Sequence, residues 1–313
     1  MENINNLYLF PVFILSIISL ILTGKFFIKK NIIDKINSRS SHSSIATRSG
    51  GLSLFIVVFI ISSSFYINAI TLFDYSFIIP IGLLMVVGLY DDVYQMDFKL
   101  KFIFQVIAAK LIIDNGLIID NLHGLFGIYD INRIIGQLFT IFIIVSIINA
   151  INFIDGIDGL AVFIVVSFIL LFEFYSNSIT PFNSLSKILI ISVLPSLYFN
   201  YRLKNKVFLG DSGSLMLGGI VSIYVLYALS NNYIIKESLD IHKIIFVLCI
   251  LFYPVIDIIR VVSIRLINGD SPFKADKNHI HHKVLSKVKS HFLTCLIIVV
   301  ISLLFNLIIQ LIL

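Results

Sequence analysis

About ten runs of roughly 15 to 22 mainly apolar residues, separated by short polar connections, leave this chain few ways to fold. At a rise of 1.5 Å per residue, about 20 residues of α-helix cross a hydrocarbon core about 30 Å thick. Barrel strands would alternate apolar and polar residues instead of running solidly apolar. Charge is scarce to match: 13% of the 313 residues are charged, whereas a soluble domain carries about 25%. So few charges do not cover a water-facing surface, which excludes a soluble enzyme, a disordered chain and a β-barrel. The expectation is an all-α, polytopic integral membrane protein with about ten transmembrane helices. The runs are 7–28, 51–70, 76–90, 102–119, 134–150, 160–176, 186–199, 214–231, 243–264 and 291–313, and they form one domain over 1–313. No internal repeat or linker interrupts them. The stretch from Asn115 to Asn132, with Gly116, Gly124 and Gly127, reads as a surface hairpin or a short interfacial helix.

The basic residues give the orientation. With ten spans, eighteen of the 23 Lys and Arg fall on one side of the membrane and four on the other, with Lys110 inside a span. By the positive-inside rule the rich side is cytoplasmic. Both termini then lie outside, periplasmic or extracellular, and the loops after spans 1, 3, 5, 7 and 9 are cytoplasmic. Lys25, Lys29 and Lys30 follow the first apolar run instead of preceding it, which reads as an uncleaved span and not a signal peptide. The net charge of +5 belongs to these loops, and no nucleic-acid partner is expected. Cys249 and Cys295, both inside apolar runs, read as small core residues without a disulfide.

Every cluster of carboxylate, amide, histidine and glycine lies on that same side. Asp91 and Asp92 follow span 3, and Asn149, Asn152, Asp155 and Asp158 end span 5. Asp211 stands in Leu-Gly-Asp-Ser-Gly-Ser before span 8, and His279, His281 and His282 follow span 9. Two like charges about 5 Å apart at an effective dielectric near 20 repel by roughly 3 kcal/mol, so grouped carboxylates call for a cation or take up protons. Oxygen donors alone favour Mg²⁺, with Mn²⁺ as the alternative. Taken singly, adjacent acids simply mark a solvated loop, and glycines in Asp-Gly-Ile-Asp-Gly simply make turns. The run that opens span 8 also suits phosphate at a helix N-terminus, although no Gly-Lys-Ser/Thr makes it a P-loop. The three histidines beside Lys274, Lys277 and Lys283 suit a diphosphate. Zinc ligation competes with that reading, without any Cys to support it.

These residues, in this order, resemble the polyprenyl-phosphate N-acetylhexosamine-1-phosphate transferases. The similarity lies in the Asp-Asp after span 3, Asn-x-x-Asn-Phe-x-Asp-Gly-x-Asp-Gly-Leu from Asn149, and Phe-x-Gly-Asp-x-Gly-Ser-Leu-x-Leu-Gly from Phe208. It continues through Pro254, Asp257, Arg260, Gly269, Ser271-Pro272-Phe273 and Asp276 to His-x-His-His from His279. The last form is more similar to the glycan-initiating branch than to the peptidoglycan translocase. The first cytoplasmic loop carries His42 and the Arg-x-Gly-Gly of Arg48 without the family's Pro-Thr-Pro. Around Asn200, Lys204 and Asn205 stand where the family has Pro-Ala.

The resemblance implies a Mg²⁺-dependent phosphoglycosyl transferase of a bacterial inner membrane, with its active site on the cytoplasmic face. It implies transfer of N-acetylhexosamine-1-phosphate, GlcNAc-1-phosphate or a derivative, from a UDP-sugar to undecaprenyl phosphate. UMP is released, and a lipid-linked cell-envelope glycan such as O-antigen is begun. It implies Asp211 and Asp92 as metal ligands, Asp91, Asp92, Asp155 and Asp158 as catalytic residues, and Asn149, Asn152, Asn200, Arg48, His279, His281 and His282 as substrate-binding residues. Membrane lipid is the remaining partner, and a homodimer is admitted. Lys99 and Lys101 serve either the anionic lipid head group or interface anchoring, and Lys110 either the acceptor or snorkelling. A phospho-MurNAc-pentapeptide translocase is the nearest alternative. An ion-coupled transporter is the alternative of another class, though its carboxylates would sit nearer the bilayer midplane.

Overall fold

The computed structural model describes residues 6–34, 45–239, 241–271 and 278–312. His42, Pro272, Phe273, Lys274, Asp276 and Lys277, all named above, lie outside the described residues. The chain begins with α1 (Leu9–Lys29), β1 (Ala46–Thr47), α2 (Gly50–Ile67), α3 (Ile78–Tyr94) and α4 (Phe98–Asp114). A hairpin of β2 (Asn121–Leu125) and β3 (Ile128–Asp130) leads to α5 (Arg133–Ile154), α6 (Leu160–Tyr175) and α7 (Asn183–Tyr201). Then come β4 (Lys206–Val207), α8 (Gly210–Leu229), α9 (Lys243–Ile250), α10 (Phe252–Ile267), α11 (Ile280–Val288) and α12 (His291–Ile312).

Among the described residues the protein is all-α apart from two small sheets, and each of the ten apolar runs is helical. Among them six helices are long and apolar enough to cross a membrane, and α9 with α10 makes a seventh if a bent pair counts as one span. α4 and α6 are 17 and 16 residues long, and α7 carries Lys187, Pro195 and Asn200 among its apolar residues. α12 leaves Leu296, Val300, Leu304 and Leu311 exposed, an apolar face suited to lipid tails. The run 243–264, expected to be one helix, breaks at Leu251 with an 80° bend. Pro254 accounts for this: it has no N–H to offer the carbonyl of Ile250, and its ring crowds that carbonyl. The stretch after α4 is a hairpin, with Leu125 paired to Ile128 around Phe126 and Gly127. Both tip residues have positive φ, +54° and +76°, as a tight two-residue hairpin requires.

The helices group into two compact units, Met1–Met96 with Thr180–Met216, and Asp97–Ile179 with Leu217–Leu313. In the first, α1 packs on α2 and α7 through small and hydroxyl side chains. Ser16 Oγ donates to the Ser192 carbonyl at 2.5 Å and Ser19 Oγ to the Ser53 carbonyl at 3.1 Å. Lipid tails are as apolar as leucine, so helices in membranes associate by such close approach and by interhelical hydrogen bonds. β1 runs parallel to β4, Ala46 opposite Lys206 and Thr47 opposite Val207. Gly50 and Gly51 at the start of α2 extend this pairing by donating to the carbonyls of Phe208 and Leu209. The segment before α2 is thereby fixed to the segment before α8.

The second unit is held by aromatic packing. Phe172 of α6 stacks on Tyr233 at 4.9 Å and meets Tyr224 of α8 edge-on at 4.9 Å. Two buried phenols find acceptors: Tyr233 donates to the Phe172 carbonyl and Tyr175 to Asn306 Oδ1, both at 2.6 Å. Side-chain caps start the helices. Asp97 accepts from Lys99 N to begin α4, and Asn132 accepts from Ile134 N to begin α5.

Candidate functional site

In the first unit the carboxylates gather where α3 ends and α8 begins. Asp91 and Asp92 belong to the last turn of α3, one turn further along the helix than the apolar run suggested. Asp92 is buried, its side chain only 1% exposed, and it accepts from the backbone N–H of Asp211 and of Ser212, both at 2.9 Å. Its two oxygens therefore cap α8, satisfying donors that a helix start leaves without intrahelical partners. The amides expected to greet phosphate at this helix are in part taken by Asp92. α3 comes this close because residue 88 is glycine: a Cβ there would lie 2.3 Å from the Asp211 carbonyl oxygen.

Arg48, carried from β1 toward α2, pairs with Asp34 at 2.9 Å and lies 3.7 Å from Asp92 Oδ1. Asp91 Oδ1 accepts from Met96 N at 2.7 Å, fixing the chain as it leaves α3. Asn200 on α7 donates to the Val207 carbonyl at 3.3 Å, and its Oδ1 is buried without a partner. Asp211, partly exposed, stands in the first turn of α8, where the helix dipole favours negative charge. Asp211 adds to the charge felt by Asp92, and a pair of carboxylates with oxygen donors only suits a hard divalent cation. Asp211 presents the carboxylate, and Asp92 fixes the backbone that carries it.

In the second unit α5 ends at Ile154, and Asp155 to Gly159 form the turn into α6. Asn149 and Gln105 of α4 exchange amide hydrogen bonds at 2.8 and 3.3 Å, and Asn149 also donates to the Val145 carbonyl. Both side-chain amides are thereby fixed in one orientation. Asp155 N donates to the Asn152 carbonyl. Asp158 is buried and tied to α12: its N–H donates to His291 Nδ1 at 3.1 Å, and Cys295 Sγ donates to its carbonyl at 3.3 Å.

The histidines start α11 and are held by α10. Asp257 Oδ1 accepts from Ile280 N at 2.8 Å, capping α11, and Oδ2 receives His279 Nδ1 at 2.6 Å. Arg260 lies 3.2 Å from the same carboxylate. Arg265 reaches His279 Nε2 at 3.5 Å, and its guanidinium sits 5.7 Å from the Phe153 ring. His281 Nδ1 meets the Tyr253 hydroxyl at 2.9 Å. Burial first, then the neighbouring His282 and His279, push His281 down to about 3, so it is neutral at physiological pH. Asp257, His279 and His281 offer ligand atoms within 4.8 Å of one another. Apart from His281 Nε2, which is buried without a partner, their nitrogens and oxygens are engaged in hydrogen bonds with two guanidinium groups adjacent, which suits an imidazole network better than a cation. Gly156 is set against the histidines: a Cβ there would lie 2.8 Å from His281 Nε2 and 3.2 Å from His282 Nε2.

Asp92, Asp211 and Arg48 thus meet in one unit, with Asp91 the next residue along α3. His279, His281 and His282 meet in the other, against the turn that carries Asp155 and Asp158. Asn149 turns to Gln105, and Asn200 to Val207. Gln105, Tyr253 and His291 were not legible as site residues, because each is a single polar side chain within or beside an apolar run, and its partner is distant in sequence.

The fold and these two clusters define a multi-pass membrane protein that keeps carboxylates at one helix start and imidazoles at another. Residues 74–229 match glycosyl transferase family 4. The chain is 31% identical over 288 residues to a probable undecaprenyl-phosphate N-acetylglucosaminyl 1-phosphate transferase of Bacillus subtilis (strain 168), covering 89% of this chain and 76% of the relative. Identity to undecaprenyl-phosphate alpha-N-acetylglucosaminyl 1-phosphate transferases is 35% over 270 residues in Pasteurella multocida (strain Pm70), 82% of this chain and 72% of the relative. For Salmonella typhi it is 30% over 290 residues, 88% and 75%. The chain belongs to glycosyl transferase family 4, and it is a membrane-embedded transferase.

Proposed function

We propose that this protein transfers N-acetylglucosamine-1-phosphate, or a closely related N-acetylhexosamine-1-phosphate, from a UDP-sugar to undecaprenyl phosphate, releasing UMP and beginning a lipid-linked cell-envelope glycan. The observation that carries this reading is the similarity, over more than four-fifths of the chain, to proteins named for N-acetylglucosaminyl 1-phosphate transfer to undecaprenyl phosphate. The whole of 1–313 acts as one transferase domain of the inner membrane. Its ten helical runs cross the bilayer, both termini lie outside, and the chemistry takes place at the cytoplasmic face, in keeping with the distribution of Lys and Arg.

In the reaction an oxygen of the lipid phosphate forms a bond to the β-phosphorus of the UDP-sugar as the bond to the UMP oxygen breaks. Such displacements depend mainly on positioning and on stabilising charge. Mg²⁺, when bound, neutralises the diphosphate oxygens, and Asp211 holds it. Asp92 keeps the start of α8 in register through the N–H groups of Asp211 and Ser212, and Arg48 offsets the negative charge of that carboxylate. Asp91 lies next to it on the last turn of α3 and is the candidate for activating the lipid phosphate or helping to hold the metal. Asn152, Asp155 and Asp158 bind the nucleotide sugar, with Asn149 shaping their turn through Gln105. His281, neutral through burial, presents its Nε2–H to a phosphoryl oxygen, with His279 and His282 flanking its ring.

The test is purified protein in detergent with Mg²⁺, undecaprenyl phosphate and a panel of UDP-sugars. UMP release is expected from UDP-GlcNAc or a related UDP-N-acetylhexosamine. No UMP from any donor would overturn the proposal.

A further inference from the structure

The geometry points to Tyr253 as the positioning residue that fixes His281 in one neutral tautomer, with its proton on Nε2. Tyr253 stands in the first turn of α10, and its hydroxyl lies 2.9 Å from His281 Nδ1. Tyr253 is buried, and among the described residues His281 Nδ1 is the acceptor in reach of its hydroxyl. A phenol has one proton. Buried with that acceptor in reach, the phenol leaves its proton unpaired unless it donates to Nδ1, and an Nδ1 that accepts requires the ring proton on Nε2.

Nε2 is where this becomes useful. His281 is 0% exposed, and its Nε2 is buried without a partner. It faces Gly156, in the turn that carries Asp155 and Asp158, where only a backbone without a side chain fits. A buried donor left unpaired costs free energy, and a bound phosphoryl oxygen that accepts from it recovers that cost. The opposite tautomer would present a lone pair to an anion. Burial keeps the imidazole neutral, so the choice between tautomers, and not protonation, decides whether this edge attracts or repels phosphate. His279 is also fixed by α10, through two side chains and in the opposite sense, with Nδ1 donating to Asp257 and Nε2 facing Arg265. α10 thus sets both buried imidazoles of the His-x-His-His element.

The role assigned to Tyr253 rests on the sugar-phosphate transfer reading, whereas the tautomer itself does not. ¹⁵N NMR of histidine-labelled protein in detergent, with His281→Gln to assign the signal, reads the tautomer without any substrate. Wild type is expected to show a protonated Nε2 and an unprotonated Nδ1, and Tyr253→Phe to show an average of both forms. In the UMP assay Tyr253→Phe is expected to raise the KM for UDP-GlcNAc by about five- to tenfold with kcat within about twofold. Combined with His281→Ala it should add nothing, because it acts through that ring. A protonated Nδ1 in wild type, an unchanged KM, or additive effects in the double variant would each overturn the inference. The wild-type spectrum suffices if Tyr253→Phe fails to fold. A wild type that released no UMP would overturn the transfer reading and leave the tautomer result to be judged on its own.

Discussion

Asp92 and Asp211 look alike in sequence, two aspartates at helix ends, yet the structure gives them separate work. Asp92 is buried with both oxygens on backbone donors, so Asp92→Ala is expected to cost about 2 to 4 kcal/mol by leaving those N–H groups unpaired. Thermal unfolding in detergent checks this, and a loss below about 0.5 kcal/mol would contradict the capping role. Asp211, proposed to hold the metal, should behave differently. Asp211→Asn is expected to reduce turnover on the order of a hundredfold or more at every Mg²⁺ concentration. His281 supplies a pH test. Its folded value of about 3 lies below the ordinary 6.5, so the unfolded chain binds the extra proton and stability falls as pH drops from about 6.5 toward 3. The groups facing the ring are His279, His282, Asp257, Arg260 and Tyr253. Melting temperatures between pH 7 and 5 should therefore fall further for wild type than for His281→Gln, and equal slopes would count against a neutral buried imidazole.

Among the elements, α3 and α8 are coupled most closely, and the coupling depends on Gly88. A methyl group at that position would meet the Asp211 carbonyl, and backbone cannot yield as a side-chain tip does. Gly88→Ala is expected to destabilise by about 1 to 3 kcal/mol and to lower activity with it, since the helix carrying Asp211 must shift. Unfolding temperature and UMP release measured on the same preparation check this, and a normal value for both would contradict the close approach. Much at this scale was legible in sequence, because apolar runs of helical length are long-range features of composition: every run became helical, and the stretch from Asn115 to Asn132, open in sequence between a hairpin and a short interfacial helix, became a hairpin. The break at Leu251 was not, since Pro254 sits inside an apolar run that reads as continuous and only the lost hydrogen bond to Ile250 exposes it. α11, short and polar, was read as a loop of histidines. Its helix is held by Asp257 and Tyr253, which lie more than twenty residues earlier in the chain, and no local pattern announces such a cap.

For the whole molecule, the distribution of Lys and Arg predicts which side each loop faces. Single cysteines in a protein lacking Cys249 and Cys295 would test it. Replacements at Lys101 and Lys287 should react with an impermeant maleimide only from the cytoplasmic side, and one at Phe126, on the exposed hairpin tip, only from outside. Labelling of Phe126 and Lys287 positions from the same side would contradict the ten-span orientation. The chemistry is tested most directly by following the phosphorus itself. With UDP-GlcNAc labelled in its β-phosphate, undecaprenyl phosphate and Mg²⁺, the label is expected to move into the organic-extractable lipid as unlabelled UMP appears, and to stay in the aqueous phase with Asp211→Asn. Label remaining in aqueous UDP while the sugar alone reached the lipid would contradict transfer of a sugar-1-phosphate.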